Sequence, residues 1–105
     1  MAWIYLLIAA GFEITWAIGL KYSEGFTKLW ASAFTIVAMV ISFTFLEMAV
    51  RTIPVGTAYA IWTGIGAVGT AILGIVLFSE PLTVSRVICL ALIVGGVVGL
   101  KFSAS

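Results

Sequence analysis

Ala2 to Leu20 reads AWIYLLIAAGFEITWAIGL, an apolar stretch broken by one ionisable side chain, Glu13. About 20 apolar residues at ~1.5 Å rise per residue cross the ~30 Å hydrocarbon core of a bilayer, so the stretch predicts a spanning helix. Glu13 then lies roughly 10 Å inside the end marked by Leu20 and Lys21. An ionised carboxylate at that depth is costly unless it is paired, hydrated or protonated, and an intramembrane acid is by default a site for ions or protons. Its helix face carries Ala9 and Ala10 one turn before it and Trp16 and Ala17 one turn after, so a second helix can approach and an indole can lie beside whatever Glu13 holds. The competing reading is a structural acid tied to a buried base. No Lys or Arg lies inside any apolar run, so the sequence offers no such partner.

Composition carries the same message along the whole chain. Of 105 residues 64% are hydrophobic and 9% charged, and mean hydropathy is +1.31, whereas a soluble domain has about a quarter of its residues charged. A net charge of +1 offers no basic field for nucleic acid. One cysteine and no histidine leave no disulfide framework and no zinc site of the usual ligands, and Cys89 reads as a small residue of an apolar run. The N-terminal run lacks the basic start and small-residue cleavage site of a secretory signal, and is expected to be retained.

Four runs follow one another, giving a single all-α membrane domain over residues 1–105 with spans near 2–20, 29–50, 54–78 and 86–101. In the second run Ser42 lies near mid-depth, where a lone serine usually bonds back to the carbonyl four residues earlier. Glu47 precedes Arg51 by one helical turn in the order that favours an ion pair, read as interfacial. Pro54 suits the first turn of the third run, which places Tyr59 and Trp62 at i, i+3. Gly64, Gly66 and Gly69 then permit either close helix contact or a hinge. The fourth run, Val87 to Leu100, is short for a span at about 14 residues unless Arg86 and Lys101 snorkel to opposite surfaces. Within it Ala91, Gly95 and Gly99 recur at four-residue spacing with Gly96 adjacent, a pattern that marks a helix-association surface. The tail from Phe102 to Ser105 is expected to fray.

Four spans put both termini on one side, with Lys21, Lys28 and Arg86 opposite them and Arg51 and Lys101 beside them. A difference of one basic residue is too small to fix orientation. Four short helices are too few to enclose a wet cavity, so a second copy is needed. Inserted in the opposite sense, it makes an antiparallel, dual-topology homodimer that reproduces the inverted repeat of larger transporters and brings two Glu13 side chains into one cavity. Desolvation and mutual repulsion disfavour ionising both, so protons are held until a cation replaces them, and that competition couples the two fluxes.

Glu13 in its helix, Lys21-Tyr22-Ser23-Glu24-Gly25-Phe26-Thr27, Ile53-Pro54-Val55-Gly56-Thr57-Ala58-Tyr59-Ala60-Ile61-Trp62 and Gly64-Ile65-Gly66 together resemble the small multidrug resistance transporters over nearly the whole chain. The resemblance implies a multi-pass protein of the bacterial inner membrane, without cofactor, in which Glu13 is the shared proton and substrate site. It also implies that Tyr59 and Trp62 line that site, that the glycine pair Gly64 and Gly66 permits an alternating bend, and that the fourth helix dimerises an antiparallel pair. Trp16-Ala17-Ile18-Gly19-Leu20-Lys21 is similar to the guanidinium-exporter branch, the multidrug branch usually having a small residue where Trp16 stands. By that resemblance Trp16, Ser42, Tyr59 and Trp62 hydrogen-bond around the two glutamates, and the partners are guanidinium, protons, lipid and a second copy of the chain. Guanidinium is planar, permanently charged and offers forked donors that match a carboxylate edge.

Two other readings stay open from the residues. A polyspecific exporter of quaternary ammonium and aromatic cations shares the fold, though Trp16 fills space that a bulky cation needs. A small membrane assembly or regulatory subunit leaves the unpaired acid unexplained. An enzyme has no nucleophile, base or metal constellation to support it.

Overall fold

The computed structural model describes residues 1–104, with side chains described as far as Ser103. Four helices make up the chain: α1 (Ala2–Tyr22), α2 (Leu29–Ala49), α3 (Val55–Phe78) and α4 (Val84–Ala104). Each is long and apolar enough to cross a membrane. Their outward faces carry exposed Leu7, Phe34, Val40, Val76 and Leu92 among many others, as lipid-facing surfaces do, and the chain is a multi-pass membrane protein.

Lipid tails are as apolar as leucine, so these helices gain little from hiding apolar side chains and associate through close backbone contact and hydrogen bonds. The buried positions fit that physics. Ala9, Ala10, Ala38, Ala49 and Ala58 are buried at the contacts, together with Leu6, Ile61 and Trp62. Gly19 of α1 lets Thr35 of α2 approach until a Cβ on the glycine would strike the threonine hydroxyl. α1 packs on both α2 and α3, and α4 packs on α3. The result is a slab of 41 × 35 × 16 Å. Its smallest dimension is under two helix diameters of ~10 Å, so one chain cannot wrap around a cavity.

The chain turns through short polar connections. Between α1 and α2, Ser23 donates its hydroxyl to the Leu20 carbonyl at 2.8 Å and accepts the Phe26 amide at 3.3 Å. Glu24, Gly25 and Phe26 all take positive φ there, 48°, 74° and 67°. The predicted Glu47–Arg51 pair is present as two bonds of 2.9 and 3.0 Å on the exposed end of α2.

The fourth helix departs from its sequence reading. It is 21 residues, longer than the apolar run by a turn at its start, because the Thr83 hydroxyl accepts the Arg86 amide at 3.1 Å and caps a helix that begins at Val84. At ~32 Å it is long enough to span, with Arg86 in its first turn and Lys101 in its last. The fraying expected from Phe102 is also corrected as far as the described residues go: Lys101 places its ammonium over the Trp3 ring of α1 at 5.1 Å and the helix continues through Ala104. Ser105 lies outside the described residues. The Lys101–Trp3 contact also places both chain ends on one side, as four spans require.

Candidate functional site

A cleft of about 410 Å³ opens between α1 and α3, lined by Glu13, Trp16, Thr63, Gly66, Thr70 and Lys21 among others. Gly66 determines how deep Glu13 sits. The carboxylate leans on the α3 backbone at that residue, where a Cβ would overlap Oε1. Only a glycine lets the acid lie this close to a neighbouring helix. No ion pair reaches Glu13 among the described residues. Its Oε1 is buried without a hydrogen-bond partner, and so are Trp16 Nε1 and Thr70 Oγ1, all three lining this one cleft. A buried polar atom left unpaired costs free energy, so three of them on residues of one cleft mark it as the place where polar groups await partners.

The serine and threonine hydroxyls of α1 and α2 are satisfied. Thr15, Ser32, Thr35 and Thr44 each donate to the carbonyl four residues before, at 2.6–3.0 Å. Ser42 does not follow that pattern. Its hydroxyl crosses from α2 to donate to the Ala9 carbonyl of α1 at 2.7 Å, and Trp62 of α3 donates its indole N–H to both Ser42 Oγ, at 3.1 Å, and the Ala9 carbonyl, at 3.2 Å. Ala9 lies one turn before Glu13 and its carbonyl is the i−4 position for the Glu13 amide. Three helices are therefore tied together at the turn that carries the acid, through backbone and not through the carboxylate. The serine reaches across because Ala9, Ala10 and Ala38, all buried, keep α1 and α2 close at this level.

Within one chain the cleft brings together Glu13, Trp16 and Gly66, while Ser42, Tyr59 and Trp62 lie outside its lining. Tyr59 is 57% exposed although its ring stands 5.5 Å from the buried Trp62 ring. Phe43 of α2 packs edge-on against Trp62 at 5.7 Å and tilted against Trp16 at 6.3 Å, so one ring braces both indoles. Gly64 faces α4, where a Cβ would meet Val97 and Ile93, and α3 runs through Gly64 and Gly66 without a break. Ala91, Gly95, Gly96 and Gly99 are exposed, and among the described residues nothing beyond their own stretch of helix lies within 4 Å of where a Cβ would stand on any of the three glycines.

Sequence reasoning passed over the far wall of the cleft. Thr70, Gly74, Phe78 and Glu80 line it with Lys21, whose ammonium lies 4.9 Å from the Phe78 ring centroid. Glu80 folds back on Gly74 because Ser79 turns the chain with φ +55°, and its carboxylate occupies the space a Gly74 side chain would need. The signal was available in Gly66, Thr70 and Gly74, which recur every fourth residue and so share one face of α3.

The profile of the family described as Small Multidrug Resistance protein matches residues 1–93. A protein of Citrobacter freundii named Guanidinium exporter is 58% identical over 103 residues, 98% of each chain. One of the same name from Salmonella typhimurium strain LT2 is 59% identical over 104 residues, 99% of each, and one from Yersinia pseudotuberculosis is 56% identical over 104 residues, covering 99% of this chain and 100% of its own.

Proposed function

Because the chain belongs to the small multidrug resistance family of bacterial membrane transporters, which are not enzymes, we propose that it exports guanidinium in exchange for protons bound at a pair of Glu13 carboxylates. The observation that carries this reading is the Glu13 carboxylate itself: seated at depth against Gly66, without a counter-ion among the described residues, with one oxygen buried and unpartnered in an open cleft. The names of relatives at 56–59% identity support the substrate.

The working unit is an antiparallel homodimer of two single-domain chains, residues 1–105 each. A slab 16 Å deep leaves the cleft open on one side, and a second copy closes it. The small-residue face of α4, Ala91, Gly95, Gly96 and Gly99, is the contact that holds the copies together, since backbone can meet backbone there. Opposed insertion makes the inward-open and outward-open states the same shape with the copies exchanging roles. Bending at Gly64 and Gly66 exchanges them.

When the cavity is vacant, protons neutralise the acids. An arriving guanidinium displaces them and forks onto a carboxylate edge, in low dielectric where such bonds are strong. Trp16 donates its free indole N–H to a carboxylate and fixes its plane. Ser42 and Trp62 hold the Ala9 turn so that the acid does not shift as its charge changes, and Tyr59 directs its exposed hydroxyl toward the second copy. The bulky indole of Trp16 beside the acid disfavours the rival reading of a polyspecific exporter of aromatic cations.

Proteoliposomes test both. A guanidinium gradient is expected to drive counter-flow of protons, at most two per turnover because there are two Glu13, with Glu13→Gln abolishing uphill efflux. Robust transport of large aromatic cations with no response to guanidinium, or a Glu13→Gln variant that pumps at wild-type speed, rejects the proposal.

A further inference from the structure

Glu13 and Trp16 account for two of the three unpartnered polar atoms in the cleft, and the third has no role in the exchange described above. Thr70 Oγ1 is buried and does not back-bond to Gly66, although each serine and threonine hydroxyl of α1 and α2 has a partner. We propose that Thr70 is a substrate-binding residue, its hydroxyl accepting an N–H of the guanidinium whose opposite edge is forked onto Glu13, and that it selects planar, N–H-bearing cations over quaternary ones.

The inference rests on the export reading and deepens it. Gly66, against which the Glu13 carboxylate lies, and Thr70 are one turn apart on one face of α3, a rise of ~6 Å. A guanidinium bonded to Glu13 through two of its nitrogens points the third away from the acid, and every hydrogen it carries is a donor. That far nitrogen needs an acceptor. Trp16 offers an N–H and Lys21 an ammonium, both donors only, while Ala17, Ile18, Ala67, Ala71 and Phe78 are apolar. Glu80 lies a further turn away at Gly74, and Thr63 is exposed. Thr70 is the buried acceptor at the right height. A quaternary ammonium has no hydrogen to give it and leaves the hydroxyl unpaired in a desolvated cleft, so the same atom that favours guanidinium penalises its rival.

The experiment uses the full chain in liposomes for transport and in detergent for binding, the latter read from tryptophan fluorescence on addition of guanidinium chloride. Thr70→Val keeps the side-chain shape and removes the hydroxyl, and Thr70→Ser keeps the hydroxyl and removes a methyl. Guanidinium Kd and transport KM are expected to rise about tenfold in Thr70→Val, the loss of one hydrogen bond to a charged group, with maximal velocity within about twofold and Thr70→Ser near wild type. In competition against guanidinium, tetraethylammonium is expected to gain in relative affinity in Thr70→Val. Unchanged Kd in Thr70→Val, or a Thr70→Ser variant as weak as Thr70→Val, overturns the inference while leaving the export reading intact. A wild-type protein that binds no guanidinium overturns both.

Discussion

Replacing Gly66 with alanine separates the position of the acid from the stability of the fold. The added Cβ would occupy the place of the Glu13 Oε1 and would stand 2.9 Å from its Cγ. One of the two must move, and the far end of a flexible glutamate moves more easily than two packed helices. Turning the side chain off its rotamer costs about 0.5–1.5 kcal/mol. Alanine in place of a helical glycine returns up to ~1 kcal/mol, so the two terms nearly cancel and α3 should fold normally. Function does not share that compensation, because misplacing a reacting group by ~1 Å can cost about 100-fold in rate. Proteoliposomes carrying Gly66→Ala should therefore lose guanidinium-driven proton flux by one to two orders of magnitude, roughly, while the circular dichroism and melting of the purified protein stay close to wild type. Gly11→Ala is the control, since nothing lies within 4 Å of its added methyl. A Gly66→Ala protein that transports at full rate would refute the idea that the glycine sets the carboxylate in place. Loss of both transport and helical content would also refute it, since the contact would then be structural and not positional.

Three further outcomes follow from other contacts. Trp62→Phe keeps the ring but removes the donor to Ala9 and Ser42, leaving a buried serine with one bond fewer; it should lower stability by about 1–3 kcal/mol in urea titration, and a double-mutant cycle with Ser42→Ala should show coupling of at least about 0.5 kcal/mol. Additive behaviour would mean that the three-helix tie at Ala9 does not act as a unit. Gly95 has open space where a Cβ would stand among the described residues, so in Gly95→Leu the helical spectrum should be unchanged while chemical cross-linking of copies falls sharply; full cross-linking would move the dimer contact off this face of α4. Trp16→Gly should widen the cleft beside Glu13, weakening guanidinium transport and admitting larger aromatic cations, as read by competition in one reconstituted sample; unchanged selectivity would leave the indole without a role in choosing substrate.

The sequence by itself determined the environment, the number of spans and the presence of an acid, Glu13, inside the first of them. Those follow from transfer free energy, which depends on composition and run length and hardly on what a helix packs against. It also determined the Glu47–Arg51 pair, a contact within one helical turn. It misjudged α4, because Ser85 and Arg86 look like loop residues until the Thr83 cap is seen to start the helix ahead of them. Only the tertiary structure decided which polar groups are spent and which are free. Ser42 had two acceptors open to it, its own helix and α1, and the alanine-lined approach of α1 to α2 chose Ala9. Thr70 is indistinguishable in sequence from threonines that bond to their own helix, and it became a candidate ligand only when its hydroxyl was found buried and unpaired in the cleft that holds Glu13 and Trp16. Hydrogen-bond satisfaction is a property of neighbours in space, and no local pattern encodes it.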